Sequence, residues 1–524
     1  MPLGALKPLR VGLAVVFLAA TAFLFLDIRE TGSSEWADVA LYLQFVPSAL
    51  DFLGGATLAA AGFFVVLFVT ALFGRVYCST VCPLGTVQDC VSRAARKRGG
   101  RFAYARPYTA LRSIILGLTV LLFLTGSGLM LNLLDPFSGF GRMLANLVRP
   151  LLIEANNLLV PVVERMGSHA VFPMKAAVFD PISVVVALAS LIAVGWLSAR
   201  HGRLYCNAIC PVGTLLGLVA KTAPFRVRID ADRCTRCGRC ERVCKAQCLD
   251  FAKGAMDGSR CVGCFNCVAA CRDDAVRLTA APGKPAAKGG DEGGRRKFLL
   301  GLAAGGVGLT ALTSRAALPP GFTPSRPTTI PEAKTTPVTP PGSGGVDGLT
   351  SRCTACHLCV AACPSRVIVP AGLDYGPSGV MQAKLDFSSA YCRYDCTVCS
   401  QVCPTGAIQP LTKSEKHRTQ IGAAIFIKES CVVFTDNTNC GACSEHCPTK
   451  AVHMVPYLNA PGRKLVIPEM DVSICVGCGA CERVCPTRPY KAIYVDGNAV
   501  HKAAKKPTSE ELAPLPEAED DFPF

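Results

Sequence analysis

Residues 74–86 read GRVYCSTVCPLGT, and residues 202–214 read GRLYCNAICPVGT. Both spell Gly-Arg-x-Tyr-Cys-x3-Cys-Pro-x-Gly-Thr, and each follows a long uncharged run. The chain therefore carries an internal repeat of helix, outer loop, helix and C-x3-C-P. Repeats related by an axis along a membrane normal would bring Cys78, Cys82, Cys206 and Cys210 together at one surface. The C-x3-C spacing sets two thiols about one helical turn apart, which suits a shared ligand. These four are candidate redox or metal thiols. A pair of dithiol switches and plain packing are the other readings. Cys90 has no counterpart in the second copy and is assigned nothing.

Four uncharged runs surround the repeat: Val11–Leu26, Phe52–Gly74, Ser113–Leu134 and Pro181–Ala199. Each reaches or approaches the roughly 20 residues that a membrane span needs. Residues 1–222 are thus expected to form an α-helical membrane bundle of four transmembrane helices. Val11–Leu26 lacks a small-residue cleavage site and reads as a helix that stays. Lys7, Arg10, Arg75, the Arg93–Arg112 group, Arg200 and Arg203 place both ends and the middle loop on the cytoplasmic side. The loop from about 135 to 180 then faces outward, and its mixed pattern suggests an amphipathic helix lying on the membrane. The net charge of +16 clusters beside these apolar runs, as at Arg93, Arg96, Lys97, Arg98 and Arg101. It reads as membrane orientation, since no aromatic-basic interleaving points to nucleic acid.

Thirty cysteines in 524 residues is far above ordinary usage. They fall in tight runs that suit metal clusters better than a disulfide scaffold. Over 223–280, Cys234, Cys237, Cys240 and Cys244 precede Cys261, Cys264, Cys267 and Cys271. Both runs have the C-x2-C-x2-C-x3-C spacing of two-cluster bacterial ferredoxins, where the fourth Cys serves the other cluster. Cys234, Cys237, Cys240 and Cys271 are then expected to hold one [4Fe–4S] cluster, and Cys261, Cys264, Cys267 and Cys244 the other. Zinc is the competing reading, but it favours four ligands in isolated pairs. Lys245 and Arg272 stand where the ferredoxin pattern usually has Pro, and Cys248 is a second candidate for the fourth position.

Gly294–Pro319 reads GRRKFLLGLAAGGVGLTALTSRAALP. Paired Arg295 and Arg296 before a short, weakly apolar segment form the pattern of a twin-arginine export signal. A fifth membrane helix with basic flanks is the alternative. Residues 281–318 are read as lead-in and export segment, and 319–350 as an extended Pro/Gly/Thr-rich tether. Residues 351–500 are read as an exported four-cluster domain, and 501–524 as a disordered tail. The exported ligands come in four groups: Cys353, Cys356, Cys359, Cys363; Cys392, Cys396, Cys399, Cys403; Cys431, Cys440, Cys443, Cys447; and Cys475, Cys478, Cys481, Cys485. Six [4Fe–4S] clusters follow, two cytoplasmic and four extracytoplasmic. Nested pairing, first group with last and second with third, is the favoured arrangement. Cys353-Thr-Ala-Cys356-His357 also spells a c-type haem attachment site, although both cysteines are required by the cluster run.

Residues 1–280 resemble NapH, the membrane ferredoxin component linked to periplasmic nitrate reductase. The resemblance rests on the four runs, Cys78/Cys82, Cys206/Cys210 and the two-cluster unit. Residues 294–500 resemble the twin-arginine-exported NapG and MauM proteins, as if two proteins were fused. The resemblance implies α+β ferredoxin-like domains on both sides of an inner membrane. It also implies electron transfer between the quinone pool and an extracytoplasmic redox partner, as an electron-transfer subunit of a quinol dehydrogenase. A metal-reducing maturation factor resembling CcoG, and a redox regulator resembling NosR, are the alternatives. A hydrocarbon core of roughly 30 Å separates the two cluster sets. Neither His169 nor His201 repeats on a helix as a bridging haem pair would. No nucleophile–base or phosphate-cradling motif points to other chemistry.

Overall fold

The computed structural model describes residues 6–27, 35–55, 61–96, 102–174, 180–250, 254–280, 334–457, 465–488 and 490–506. The export-signal reading over 294–318 and the tail beyond 506 lie outside the described residues.

Two helices, Leu6–Leu26 and Pro181–His201, are long and apolar enough to cross a membrane by length and composition. On the first, Arg10, Ala14, Thr21 and Phe25 are buried; on the second, Ser183, Ala187, Val194 and Ser198. Both sets follow the i, i+4, i+11, i+15 stripe of one helix face. Small and hydroxyl side chains dominate those stripes, which lets helix backbones approach closely. Val16, Phe68, Leu124, Val185 and Trp196 face outward and are all more than half exposed. That belt of large apolar side chains suits a lipid-facing surface.

At the other two expected spans the described residues hold shorter apolar helices. The run Phe52–Gly74 overlaps the helices Phe45–Gly55 and Gly62–Phe73, and residues 56–60 lie outside the described residues. The run Ser113–Leu134 is helical over Thr109–Leu124, turns at Gly126 with φ +84°, and resumes as Leu129–Leu134. Glycine supplies that left-handed turn without steric cost, and the helix ends there. Among the described residues, two helices of membrane length and two shorter apolar ones stand at the four expected spans.

The loop from 135 departs further from expectation. Asp135 caps the helix Pro136–Met143, accepting from the Ser138 N–H at 2.8 Å and its hydroxyl at 2.7 Å. Pro136 begins the helix with its φ already set. All eight residues of that helix are buried, so it inserts into the body instead of lying on a membrane. Gly141 makes the insertion fit, since a Cβ there would sit 2.5 Å from the Phe25 ring and 2.6 Å from the Cys356 carbonyl oxygen. The following helix, Arg149–Arg165, does expose Leu151, Leu158, Leu159 and Val162.

Two ferredoxin-like units dock on opposite ends of this helical body. In the first, Phe225–Ile229 pairs antiparallel with Val276–Ala280, and Leu249–Asp250 with Ala255–Met256. It meets the body where the Arg203 N–H donates to the Lys245 carbonyl at 2.9 Å and the Tyr104 N–H to Glu241 at 2.8 Å. The second unit has three antiparallel strand pairs among the described residues: Ile368–Pro370 with Ala383–Leu385, Thr419–Phe426 with the distant Ile493–Ala503, and Val452–Tyr457 with Leu465–Met470. It sits on the inserted helix, where Arg142 donates to the Ala355 carbonyl at 3.2 Å.

The expected tether 319–350 is, from 334 onward, part of the second unit. Lys334 pairs with Glu482 at 3.0 Å, the Thr336 N–H donates to Asp496 at 3.0 Å, and Thr339 bonds His501 at 2.7 Å. Val338 lies 1% exposed in the unit's core, and Gly345 bridges to Val500. The unit also runs past residue 500, ending its last strand at Ala503. A Pro- and Thr-rich composition permits an extended strap as readily as a free linker, and only the waiting partners decide between them. Val338→Ala is expected to destabilise this unit by about 1–2.5 kcal/mol. Denaturation should leave exposed Val472→Ala indistinguishable from wild type.

Candidate functional site

The two C-x3-C-P copies meet face to face. In the first, the chain leaves Gly62–Phe73 through Gly74, makes one helical turn over Tyr77–Thr80, and starts a new helix at Pro83. In the second, it leaves Pro181–His201 through Gly202, makes a π-turn over Tyr205–Ile209, and starts again at Pro211. Cys78, Cys82, Cys206 and Cys210 are each 3% exposed. Arg75 crosses to donate to the Cys206 carbonyl at 2.9 Å, and Arg203 crosses back to the Cys78 carbonyl at 2.6 Å. The motif's last glycine leaves room for the first cysteine's carbonyl oxygen, 2.2 Å from a Cβ on Gly85 and 2.1 Å from one on Gly213, and for this crossing. A Cβ on Gly85 would stand 2.6 Å from Arg203 Nη1, and one on Gly213 would stand 2.8 Å from Arg75 Nη2.

Arg75, Arg203 and Arg10, read from sequence as charges that orient spans, are buried at 1%, 1% and 7% exposure. The two halves balance them differently. Asp89 takes Arg203 at 2.8 Å, Arg10 at 2.9 Å and Lys245 at 3.3 Å. Burial alone would push its carboxyl up, but Arg203 and Lys245, with the bonds from Arg203 and Arg10, hold it well below the usual carboxylate range. Gly217 occupies the matching position of the second repeat. Arg75 accordingly finds neutral acceptors, Asn207 Oδ1 at 2.7 Å and the Ser259 carbonyl at 3.2 Å. Sequence reasoning missed Asp89 and Gln88; the one available signal was an acid at a repeat position that holds glycine in the other copy.

The cluster runs fold as their spacing requires. Residues on both sides of the second cysteine are left-handed in four of them: Arg236 and Gly238, Gly263 and Phe265, Ala355 and His357, Gly477 and Gly479. Such alternation turns successive N–H groups into a concave nest suited to an anionic centre. The third residue after the fourth cysteine is also left-handed at Gln247, Asp274, Arg366, Gly406 and Lys450. The missing prolines at Lys245 and Arg272 therefore do not disturb the turn.

Cys234, Cys237, Cys240 and Cys271 line one cavity, as their spacing predicts. At the neighbouring position, Cys244 stands beside Cys261, Cys264 and Cys267, with Cys248 Sγ 3.7 Å from Cys244 Sγ. The hydrogen bond with Cys248 pulls the Cys244 thiol down and pushes that of Cys248 up, so Cys244 is the readier thiolate.

In the second unit, Cys403 joins Cys353, Cys356 and Cys359 around one cavity, and Cys447 joins Cys475, Cys478 and Cys481 around another. Cys363 lies beside Cys392 and Cys399, and Cys485 beside Cys431 and Cys443. Neighbouring groups thus exchange fourth cysteines, which corrects the nested arrangement. The physical reason is the short turn and strand after each fourth cysteine, which return it to the adjacent run.

These cavities fit a cubane. Four thiols line each void, and among the described residues no three His, Cys, Asp or Glu side chains converge on a single ion. The haem reading of Cys353–His357 fails, because both imidazole nitrogens are taken. Nδ1 bonds Asn146 at 2.9 Å, and Nε2 bonds the Met381 carbonyl at 3.0 Å. Burial and Arg142 pull this imidazole down to about 3, so it stays neutral.

Two measurements check this geometry. Cys403→Ala and Cys353→Ala should delete the same low-temperature EPR signal, while Cys392→Ala deletes a different one; a signal shared by Cys403→Ala and Cys392→Ala would refute the exchange. Asp89→Asn strands three buried cations and is expected to cost about 3 kcal/mol or more at neutral pH. Because the folded carboxyl value is depressed, its contribution is complete above the unfolded value of about 3.9 and fades as pH falls below that. Thermal melts of wild type and Asp89→Asn should therefore differ by a constant gap between about pH 8 and about pH 5.

Comparison with known proteins agrees with this chemistry. A family described as "4Fe-4S binding domain" matches residues 56–101 and 183–230, and a second of that description matches 226–249. A "4Fe-4S dicluster domain" matches 352–407 and 438–488. The chain is 30% identical to the ferredoxin-type protein NapH of Haemophilus influenzae, over 40% of this chain and 59% of the relative. It is 23% identical to the putative electron transport protein YccM of Escherichia coli, over 44% of this chain and 62% of the relative. It is 32% identical to the methylamine utilization ferredoxin-type protein MauM of Methylobacillus flagellatus, over 28% of this chain and 63% of the relative. The chain thus spans less than two thirds of each of these relatives. No solved structure matches. The matches show 4Fe-4S binding domains in both halves of the chain and a likeness to ferredoxin-type proteins, and two of the described helices are of membrane length.

Proposed function

We propose that the chain oxidises quinol at the outer membrane face and passes the electrons through the second unit to an extracytoplasmic redox partner. The first unit is cytoplasmic in this reading. The segment around Arg295 and Arg296 directs the second unit across the membrane, and the four uncharged runs embed the helical body as transmembrane helices. The 24 cysteines assigned from sequence hold six [4Fe–4S] clusters, which when bound accept and release one electron each.

One observation carries the quinol reading. A cavity opens where the body meets the second unit, lined by Asn146, Arg149, Val184, Val360, Arg366 and Ile368 among others. Val184 lies near the start of the apolar helix Pro181–His201, so the cavity adjoins the lipid-facing belt. Val360 follows Cys359 directly, so the cavity's wall is one residue from a cluster thiol. Apolar walls with a few converging polar groups are what a quinol ring requires. Arg149 and Arg366 offer N–H donors to the ring oxygens. Asn146, held by His357 and by the Arg142 carbonyl at 2.9 Å, fixes the polar end. Oxidation of one quinol releases two electrons, in single steps, and two protons to water.

Arg366→Leu should slow quinol-dependent cluster reduction about tenfold, the equivalent of one charge-assisted hydrogen bond. Reduction by dithionite should be unaffected. Stopped-flow absorbance on membranes measures both, and an unchanged quinol rate would sink the assignment of the cavity.

A further inference from the structure

We propose that Cys78, Cys82, Cys206 and Cys210 together hold a seventh iron–sulfur cluster, shared between the two repeats. It would be the relay that joins the cluster sites of the two ferredoxin units. The inference stands apart from the quinol cavity, which lies at the far end of the body.

The sulfurs come first. A buried cysteine that only packs behaves as a small apolar group and needs no polar neighbour. Here every sulfur has an N–H aimed at it. Arg75 Nη2 approaches Cys78 Sγ at 3.7 Å, Gln88 Nε2 approaches Cys206 Sγ at 3.2 Å, and the Gly213 N–H approaches Cys210 Sγ at 3.3 Å. The Gly85 N–H serves Cys82. Donors converging on four sulfurs from both repeats are the surroundings of thiolate ligands.

The charge balance points the same way. Arg10, Arg75, Arg203 and Lys245 gather around these thiols with Asp89 as the carboxylate between them. Arg75 is buried and bonded only to neutral acceptors and Cys78 Sγ. Uncompensated buried cations are costly, and a cluster with four thiolates carries the negative charge that answers them.

Position supplies the role. On one side, Arg75 bonds the Ser259 carbonyl, two residues before Cys261, and a Cβ on Gly263 would lie 3.2 Å from Val76. On the other, the Tyr205 hydroxyl donates to the Leu134 carbonyl at 3.0 Å, next to the cap of the inserted helix. That helix's Arg142 lies within electrostatic reach of Tyr205, Cys353 and Cys356. The four thiols thus stand between the site of Cys261, Cys264, Cys267 and Cys244 and the site of Cys353, Cys356, Cys359 and Cys403. Each transfer moves one electron: the donor cluster is oxidised by one, the acceptor reduced by one, and no bond or proton is exchanged.

The test uses the full chain purified anaerobically in detergent, with iron and acid-labile sulfide counted per chain and each midpoint titrated by EPR. Wild type is expected to hold more iron and sulfide than six cubanes contain. Cys82→Ser with Cys210→Ser should lose one cluster's worth and one spectral component. Gln88→Leu keeps all four thiols and copies Leu216, its counterpart in the second repeat. Removing that N–H···S bond should lower one midpoint and leave the others in place. Should the cysteine variant fail to fold, the wild-type count and Gln88→Leu still decide. Six cubanes' worth of iron in wild type, an unchanged count in the cysteine variant, or midpoints that do not move in Gln88→Leu would each overturn the proposal.

Discussion

Two arginines crossing between repeated turns hold this molecule together. Each guanidinium reaches across to the carbonyl of the other copy's first cysteine, and each is buried. A buried cation forfeits its hydration, so the carbonyls, Asp89, Asn207 and the Ser259 carbonyl must all be in place at once. Separating the two halves would strand several charges together. Both copies keep glycine at positions 85 and 213, where a Cβ would stand 2.2 and 2.1 Å from the Cys78 and Cys206 carbonyl oxygens and 2.6 and 2.8 Å from the crossing arginines.

The same crossing seats the first ferredoxin unit. Arg203 donates its backbone N–H to the Lys245 carbonyl, and Arg75 reaches the Ser259 carbonyl, so the residues that lock the repeats also grip the unit. Arg142 does the corresponding work at the other end. It satisfies the Asn132 and Leu133 carbonyls of the body and the Ala355 carbonyl of the second unit. Ala355 precedes Cys356, so the docking contact is also a contact with the rim of a cluster site. The inserted helix carries the contact with the second unit and the paired turns the contact with the first.

The cysteine runs were legible in the sequence because their geometry is local. A C-x2-C-x2-C turn needs only left-handed residues around its middle cysteine, and Arg236, Phe265 and His357 adopt that conformation as glycine does elsewhere. The repeated C-x3-C-P turn was legible for the same reason, and so were the first ferredoxin unit and the uncharged runs of the two long helices. The pairing of the last four groups was not, since spacing alone allows both nested and neighbouring exchange. The strap at 334–345 was not, because its composition is that of a linker and its order comes from Glu482, Asp496 and His501, about 150 residues away along the chain.

By itself, then, the sequence determined which cysteines form each local turn, that the membrane-facing half is a duplicated helical unit, and that iron–sulfur chemistry is its business. Tertiary structure alone decided which runs share a cavity, that Arg10, Arg75 and Arg203 are interior charges and not surface markers, and that residues 136–143 enter the body. The division has one physical cause. A turn's shape and a helix's apolar stripe depend on neighbours a few residues apart, whereas a buried charge or an inserted glycine-bearing helix exists only when distant carbonyls and carboxylates have been brought to meet it.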